Sequence, residues 1–173
     1  VLDDNYPINA KKEELAKYFI PKENLDRAIF KLKVATLLQF TLCGVPSIYY
    51  GDEVGMQGYS DPLNRCTFPW GEEDAEILTW YKTLSSIRKN YSAFDCGDFE
   101  LIYENNGVII YKRFDKSSQV LICINLTKNK FLLDFNGNML ELLTNIKYND
   151  GYELKENSFA VFINDKEEVE NYE

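Results

Sequence analysis

The stretch that decides the fold is Gly44–Arg65, which reads GVPSIYYGDEVGMQGYSDPLNR. It opens with a continuously apolar run at 46–50 and continues into a loop rich in glycine, carboxylate, tyrosine and arginine. Unbroken apolarity without alternation predicts a short strand buried on both faces, as in a parallel sheet. Proline is tolerated at the first position of such a strand. The sequence therefore predicts a buried strand whose end carries many hydrogen-bonding side chains.

Helical periodicity flanks this stretch on both sides. A helical pattern runs from Glu23 to Leu42, and glycine at position 44 suits its C-terminal cap. A second helix is expected over about Glu72–Tyr91, with acidic residues in its first turn and basic residues in its last, which matches the helix dipole. Helix, strand, loop and helix in this order indicate α/β architecture. Because a parallel strand needs neighbours on both edges, this half is predicted to be an incomplete domain.

After Gly97 the periodicity changes from helical to extended. Turn sequences such as Asn105-Asn106-Gly107 separate short segments of strand-forming residues. This alternation predicts an antiparallel β-sandwich. The expected strands are Phe99–Tyr103, Val108–Phe114, Val120–Leu126, Lys130–Phe135, Met139–Thr144 and Ser158–Ile163.

Composition narrows the classes of partner. The net charge is −9, from 28 acidic and 19 basic residues, and 45% of the residues are hydrophobic, which is enough for a core. Such a negative charge disfavours nucleic acid and anionic membrane surfaces as partners. No apolar run has the ~20 residues of a spanning helix, and no signal peptide is recognised.

Cysteine and histidine usage limits the chemistry. The four cysteines are widely spaced and form no CxxC pair, so free buried thiols in a reducing cytoplasm are expected rather than two disulfides. The chain has no histidine, which excludes Ser-His-Asp and Cys-His catalysis and most zinc sites within it. We expect no cofactor and no metal, and any catalysis would have to use carboxylates, lysine or tyrosine.

Three segments together resemble the α-amylase family of glycoside hydrolases: GVPSIYYGDEVGM, DPLNR and WYKTLSSIRKNYSAFDCGDFE. The resemblance covers roughly Lys31–Ile163 and is strongest to the neopullulanase, cyclomaltodextrinase and maltogenic amylase group. It implies that Ser47–Tyr50 is the last strand of a (β/α)8 barrel, that the last barrel helix follows, and that an antiparallel β-sandwich closes the protein. The implied substrate is an α-glucan such as starch, maltooligosaccharide, cyclodextrin or pullulan.

The resemblance also divides the chain. Residues 1–21 are expected to be a linker or insertion from an upstream barrel, with a possible short helix over Ala10–Tyr18. Residues 22–94 are expected to form the terminal barrel segment, 95–165 the C-terminal β-sandwich, and 166–173 an acidic tail.

In a β/α barrel the functional site lies on the loops that follow the strands. The resemblance therefore places five substrate-binding candidates at the barrel mouth: Asp52, Glu53, Tyr59, Asp61 and Arg65. It implies that Asp61 and Arg65 hold glucose units on the non-reducing side of the cut and that Glu53 braces the loop. The alternatives are an ion pair within the loop for Asp61 and Arg65, and a salt-bridged strand end for Asp52 and Glu53.

Other side chains have plainer expected roles. Tyr49 and Tyr50 are expected to pack inside the barrel, and Trp70 and Trp80 to lie in the core. The acidic residues of the loop lack the ligand spacing of a calcium site.

The catalytic centre of the family is missing from this sequence. A retaining glycosidase needs two carboxylates about 5–5.5 Å apart, and in the family these, with a His-Asp pair, precede the segment that begins at Lys31. The chain alone is therefore predicted to be inactive, as the C-terminal part of an α-glucan hydrolase. The alternative is a stand-alone carbohydrate-binding or interaction module. Self-association through the unpaired barrel strand, or local disorder around Ser47–Tyr59, is also expected.

Overall fold

The computed structural model describes residues 9–59, 61–135 and 137–164. It divides into two compact units, the first formed by 1–39 and 45–84 and the second by 40–44 and 85–173. The predicted acidic tail at 166–173 lies outside the described residues, as do the first eight residues of the expected linker.

Three α-helices match the predicted helical segments: α1 Lys12–Leu15, α2 Lys22–Thr41 and α3 Ala75–Asn90. Helix α3 begins three residues later than predicted because Asp74 caps it. One carboxylate oxygen of Asp74 accepts hydrogen bonds from the backbone N–H groups of Glu76, at 2.9 Å, and Ile77, at 3.0 Å. Such a cap satisfies amide donors that have no partner inside the first helical turn.

The first unit is held together by the packing of α2 against α3. Leu37 and Leu84 are fully buried, and the indole N–H of Trp80 donates to the Thr36 hydroxyl at 2.8 Å. At the surface, Lys33 forms an ion pair with Glu76 at 2.5 Å. The expectation that Trp80 lies in the core is confirmed.

The prediction of a strand at 46–50 is wrong for this chain. The segment has no strand conformation, and none of the described residues pairs with it in a β-ladder. Val45 is 92% exposed and Ile48 42% exposed, so the segment is not buried on either face. A strand is stable only when neighbouring strands satisfy its backbone groups, and here the Ser47 carbonyl accepts a hydrogen bond from the side chain of Gln39 instead.

The second unit contains the predicted antiparallel sheet. A six-stranded sheet has the order β1-β2-β3-β8-β5-β6, and a two-stranded sheet pairs β4 with β7. The strands are β1 Asp98–Asn105, β2 Val108–Phe114, β3 Gln119–Asn125, β4 Phe131–Leu133, β5 Asn138–Glu141, β6 Ile146–Asn149, β7 Tyr152–Leu154 and β8 Ser158–Asn164.

Turn chemistry fixes the strand ends. Asn106 and Gly107 both have positive φ, 46° and 91°, as the two-residue turn between β1 and β2 requires. Strands β6 and β7 were not predicted, and β5 is shorter than expected. It ends at the buried Glu141, whose carboxylate accepts hydrogen bonds from the Thr144 amide and hydroxyl and from the Val161 amide.

Both faces of the larger sheet are buried in its centre. One face contributes to a hydrophobic cluster with the small sheet, made of Val108, Ile110, Cys123, Leu133, Leu154, Ala160 and Phe162. This cluster is the sandwich-like core. The opposite face buries Val120, Ile122, Ile124 and Val161, together with a tyrosine, Tyr111. Burial raises the pKa of Tyr111 to about 12.

Two arginines of the second unit satisfy carbonyl groups at the C-terminal end of α2. Arg88 donates to the carbonyls of Phe40, at 2.6 Å, and Gly44. Arg113, 1% exposed, donates to the carbonyl of Thr41 at 3.0 Å. Burial, and next the charge of Arg113, lower the pKa of Arg88. Because the last carbonyls of a helix lack intrahelical partners and carry partial negative charge, the two guanidinium groups cap this helix.

Candidate functional site

The candidate loop begins in a one-turn 3₁₀ helix, Asp52–Val54, enclosed by two glycines. Gly51 and Gly55 have φ of 92° and 72°, a region that favours glycine. A Cβ atom on Gly51 would lie 2.8 Å from Cε of Met56, and one on Gly55 would lie 2.7 Å from Cδ1 of Ile77. The two glycines of the GDEVG sequence are therefore favoured by local backbone geometry.

Asp52 and Glu53 have different environments in this turn. Glu53 accepts a hydrogen bond from the Gly51 amide at 2.8 Å, a contact that braces the loop. Asp52 is exposed, yet partial desolvation and the charge of Glu53 raise its pKa, against the lowering effect of a Tyr49 backbone hydrogen bond. Burial, together with the charges of Asp52 and Glu53, raises the pKa of Tyr81 to about 12. The turn is thus a concentration of negative charge.

Tyr59 connects the loop to the segment after α1. Its hydroxyl donates to the Tyr18 carbonyl at 2.6 Å, and the two rings meet edge to face with centroids 5.7 Å apart. Nearby, the side-chain carbonyl of Gln57 accepts a hydrogen bond from the Ile20 amide at 2.8 Å. These contacts give Tyr59 a structural role in this chain.

Asp61 and Arg65 form an ion pair at 2.6 Å, with side chains 62% and 69% exposed. The ion pair within the loop, one of the two alternatives, is therefore present. Exposed pairs of this kind contribute only about 0–1 kcal/mol to stability. Both side chains are open to solvent and therefore accessible to a sugar. A sugar contact by Asp61 and Arg65 stays a prediction.

A cavity of about 600 Å³ lies in the first unit beside the loop. Of the five predicted site residues, Asp52 and Tyr59 are among its lining residues. The other walls are four apolar residues of α2 and several residues of the 49–58 segment, together with Ile20, Asn64, Asp74 and Ile77. Asn64 was not predicted, although it belongs to the DPLNR segment. Its buried side-chain oxygen has no hydrogen-bond partner among the described residues.

Three aromatic residues differ from their expected burial. Tyr49 and Tyr50 are 48% and 42% exposed, because the strand partners that would cover them are not among the described residues. The Tyr50 hydroxyl donates to the Cys66 carbonyl at 2.9 Å. Trp70, expected in the core, is 82% exposed because it lies in a surface turn between loop and helix.

The described residues hold no group of three or more histidine, cysteine, aspartate or glutamate residues suited to a metal ion. All four cysteines are free, as predicted, but only Cys123 is buried, so the prediction of buried thiols is wrong for Cys43, Cys66 and Cys96. Within the described part of the chain, no helix has the length and apolarity to cross a membrane.

The fold is shared with α-amylase family enzymes. The crystal structure of an Anoxybacillus α-amylase matches it with a TM-score of 0.71 and 26% sequence identity, covering 79% of this chain and 32% of that one. Further structural matches are α-amylase family enzymes as well. No protein-family model matches the chain.

Individual relatives are found among curated proteins. An amylopullulanase of Thermoanaerobacter thermohydrosulfuricus is 46% identical over 88 residues, which is 51% of this chain and 6% of the relative. A cyclomaltodextrinase of Thermoanaerobacter pseudethanolicus is 36% identical over 110 residues, which is 62% of this chain and 19% of the relative. The predicted resemblance to the α-amylase family is confirmed, and the chain spans less than a fifth of the length of these two relatives.

Proposed function

We propose that this chain is the C-terminal part of a retaining, α-glucan-degrading glycoside hydrolase, comprising the end of the barrel and the closing β-sandwich. The observation that carries the proposal is the structural match to an α-amylase, which covers 79% of this chain with a TM-score of 0.71. The names of the relatives, amylopullulanase and cyclomaltodextrinase, support an α-glucan as substrate.

In this proposal the loop binds substrate and another part of the enzyme cleaves it. Asp61 and Arg65 exchange their mutual ion pair for charge-assisted hydrogen bonds to sugar hydroxyls, which are stronger than bonds between neutral groups. Their exposure supports this role, since neither side chain has to leave a buried position. Glu53 keeps the turn in place through the Gly51 amide, while Asp52 and Tyr59 border the adjacent cavity.

The chemical step requires groups that we place upstream of this chain. In a retaining mechanism one carboxylate attacks the anomeric carbon and a second, about 5–5.5 Å away, protonates the leaving oxygen and then activates water. We propose that the preceding barrel strands supply both. The role of this chain is then to hold the substrate in register with them, which lowers the entropy cost of the reaction.

The role of Arg65 can be tested in a complete enzyme, made by placing this chain in the matching segment of the cyclomaltodextrinase relative. A hydrogen bond to a charged group contributes about 1.5–3 kcal/mol, so Arg65→Ala is expected to lower kcat/KM for long maltooligosaccharides by about ten- to a hundredfold. A short substrate that does not reach the loop should be nearly unaffected. Steady-state kinetics with both substrates provides the measurement.

Lys82→Ala is a matched control, because Lys82 is an exposed cation on α3 outside the loop. Lys82→Ala should leave kcat/KM unchanged for both the long and the short substrate. Equal losses on long and short substrates, accompanied by a lower melting temperature, would show that Arg65 serves only as scaffold. Unchanged kinetics on both would remove Arg65 from the proposed site.

We also propose that the isolated chain self-associates through the exposed apolar segment at 45–50. An extended segment with unpaired backbone groups pairs readily with another chain, and a lysine side chain on the segment disfavours this pairing. Sedimentation velocity should show a concentration-dependent dimer for the wild-type chain and a monomer for Ile48→Lys. Leu132→Lys, at a residue of β4 that is 75% exposed, should leave the dimer intact. A wild-type chain that stays monomeric at high micromolar concentration would refute this proposal.

A further inference from the structure

Trp70 is the most exposed aromatic side chain among the described large hydrophobic residues, at 82%. Its ring contacts that of Phe68, with centroids 4.5 Å apart and an interplanar angle of 48°. Burying so large an apolar ring normally stabilises a protein. A ring that is instead supported from one side and open on the other forms a surface on which a ligand can stack.

The turn that carries Trp70 is fixed by its own backbone. The amide of Trp70 donates to the Phe68 carbonyl and that of Glu72 to the Pro69 carbonyl, both at 3.0 Å. Gly71 supplies a positive φ of 82°. Hydrogen bonds from the backbone amides of Glu73 and Gly71 lower the pKa of the Glu73 carboxyl, so the carboxylate is held against the turn. A ligand would therefore meet a platform that is ordered in advance, which reduces the entropy cost of binding.

The chemistry around the ring indicates the class of ligand. The negative face of an indole attracts the weakly positive C–H groups on the face of a pyranose ring. Glu72 and Glu73 follow Trp70 closely in sequence, and their carboxylates can accept hydrogen bonds from sugar hydroxyls. The same carboxylates, in a chain of net charge −9, repel anionic ligands. Ring and carboxylates together fit a neutral polyhydroxylated chain.

We infer that Trp70, supported by Phe68 and followed by Glu72 and Glu73, is a stacking platform for an α-glucan chain, additional to the site proposed around Asp61 and Arg65. The choice of an α-glucan rests on the proposed function. The Phe68 ring and the turn hydrogen bonds that support the platform lie within residues 68–72, so these contacts do not depend on the barrel strands that we place upstream. The platform should therefore bind in the full 173-residue chain by itself.

Tryptophan fluorescence during titration with maltoheptaose tests this inference. The chain has two tryptophans, and Trp80 is buried and hydrogen-bonded to Thr36, so a saturable change on titration is expected to come from Trp70. A Trp80→Phe chain should keep the change. Isothermal titration calorimetry should show that Trp70→Ala weakens binding about five- to tenfold, whereas Trp70→Phe, which keeps a ring, retains most of it. Circular dichroism melting should be unchanged in Trp70→Ala, because the side chain is exposed.

The control Arg65→Ala separates this inference from the proposed function. Equal binding by the wild type and Trp70→Ala would overturn the platform, and so would a wild-type chain that binds no maltoheptaose. Binding lost in Arg65→Ala but kept in Trp70→Ala would also overturn it, while supporting the loop as the sugar site. Binding lost in Trp70→Ala and kept in Arg65→Ala would support the platform. Cellohexaose should bind more weakly than maltoheptaose, and tighter binding of cellohexaose would overturn the assignment to α-glucan.

Discussion

Replacing Arg113 with methionine is expected to lower the free energy of unfolding of the second unit by about 3–5 kcal/mol. The side chain is 1% exposed and donates three hydrogen bonds, to the carbonyls of Thr41, Gly97 and Asp98, at 3.0, 3.0 and 3.2 Å. Methionine fills much of the volume of the arginine side chain but has no donor for these hydrogen bonds. Each buried carbonyl that loses its donor lowers the free energy of unfolding by about 1–3 kcal/mol. The substitution also removes the repulsion between Arg88 and Arg113, but this gain offsets only part of that loss.

Arg65→Met is the matched control, because it makes the same substitution at an exposed arginine whose ion pair contributes about 0–1 kcal/mol. Urea denaturation followed by amide exchange of β2 and β3 reports on the second unit alone, which avoids assuming that the whole chain unfolds in one step. A loss below about 1 kcal/mol for Arg113→Met would show that water or other donors replace the guanidinium. The capping of α2 by two arginines would then contribute little to stability.

Local signals in the sequence were sufficient for the helices and for most of the sheet. Periodicity and terminal charges located α2 and α3, and the Asn105-Asn106-Gly107 turn located the β1–β2 hairpin. These features depend on interactions within a few residues along the chain. Examples are the backbone conformation of a tight turn and the effect of the helix dipole on charged residues at the helix ends. The antiparallel class of the sheet followed from the same signals.

Features that depend on distant residues were missed or wrong. The apolar run at 46–50 is typical of a buried strand, but strand formation requires partners that are not among the described residues. Arg88 and Arg113 contact carbonyls more than 40 residues away, at the end of α2, and no local pattern indicates such a contact. The strands β6 and β7 are only four and three residues long, which is too short for alternation to be recognised.

The candidate site was predicted as a segment rather than as a set of contacts. The resemblance placed Asp61 and Arg65 in one loop as sugar contacts, and their ion pair was the alternative interpretation. No sequence signal indicates that the Tyr59 hydroxyl donates to the Tyr18 carbonyl or that Asn64 borders the cavity. The prediction that Trp70 lies in the core is wrong, because its exposure depends on the shape of a turn that residue type does not determine.

We propose that this chain binds α-glucans for a pair of catalytic carboxylates located elsewhere, and a turnover assay is the direct test. The purified 173-residue chain and the chimera with the cyclomaltodextrinase relative are each incubated with maltotriose and with β-cyclodextrin, and released sugar is quantified. Enzymes accelerate such reactions by at least about a millionfold, so the outcome is close to all or none. We expect hydrolysis by the chimera and none by the isolated chain above a mock preparation. Hydrolysis by the isolated chain would contradict it, and so would a folded chimera without activity.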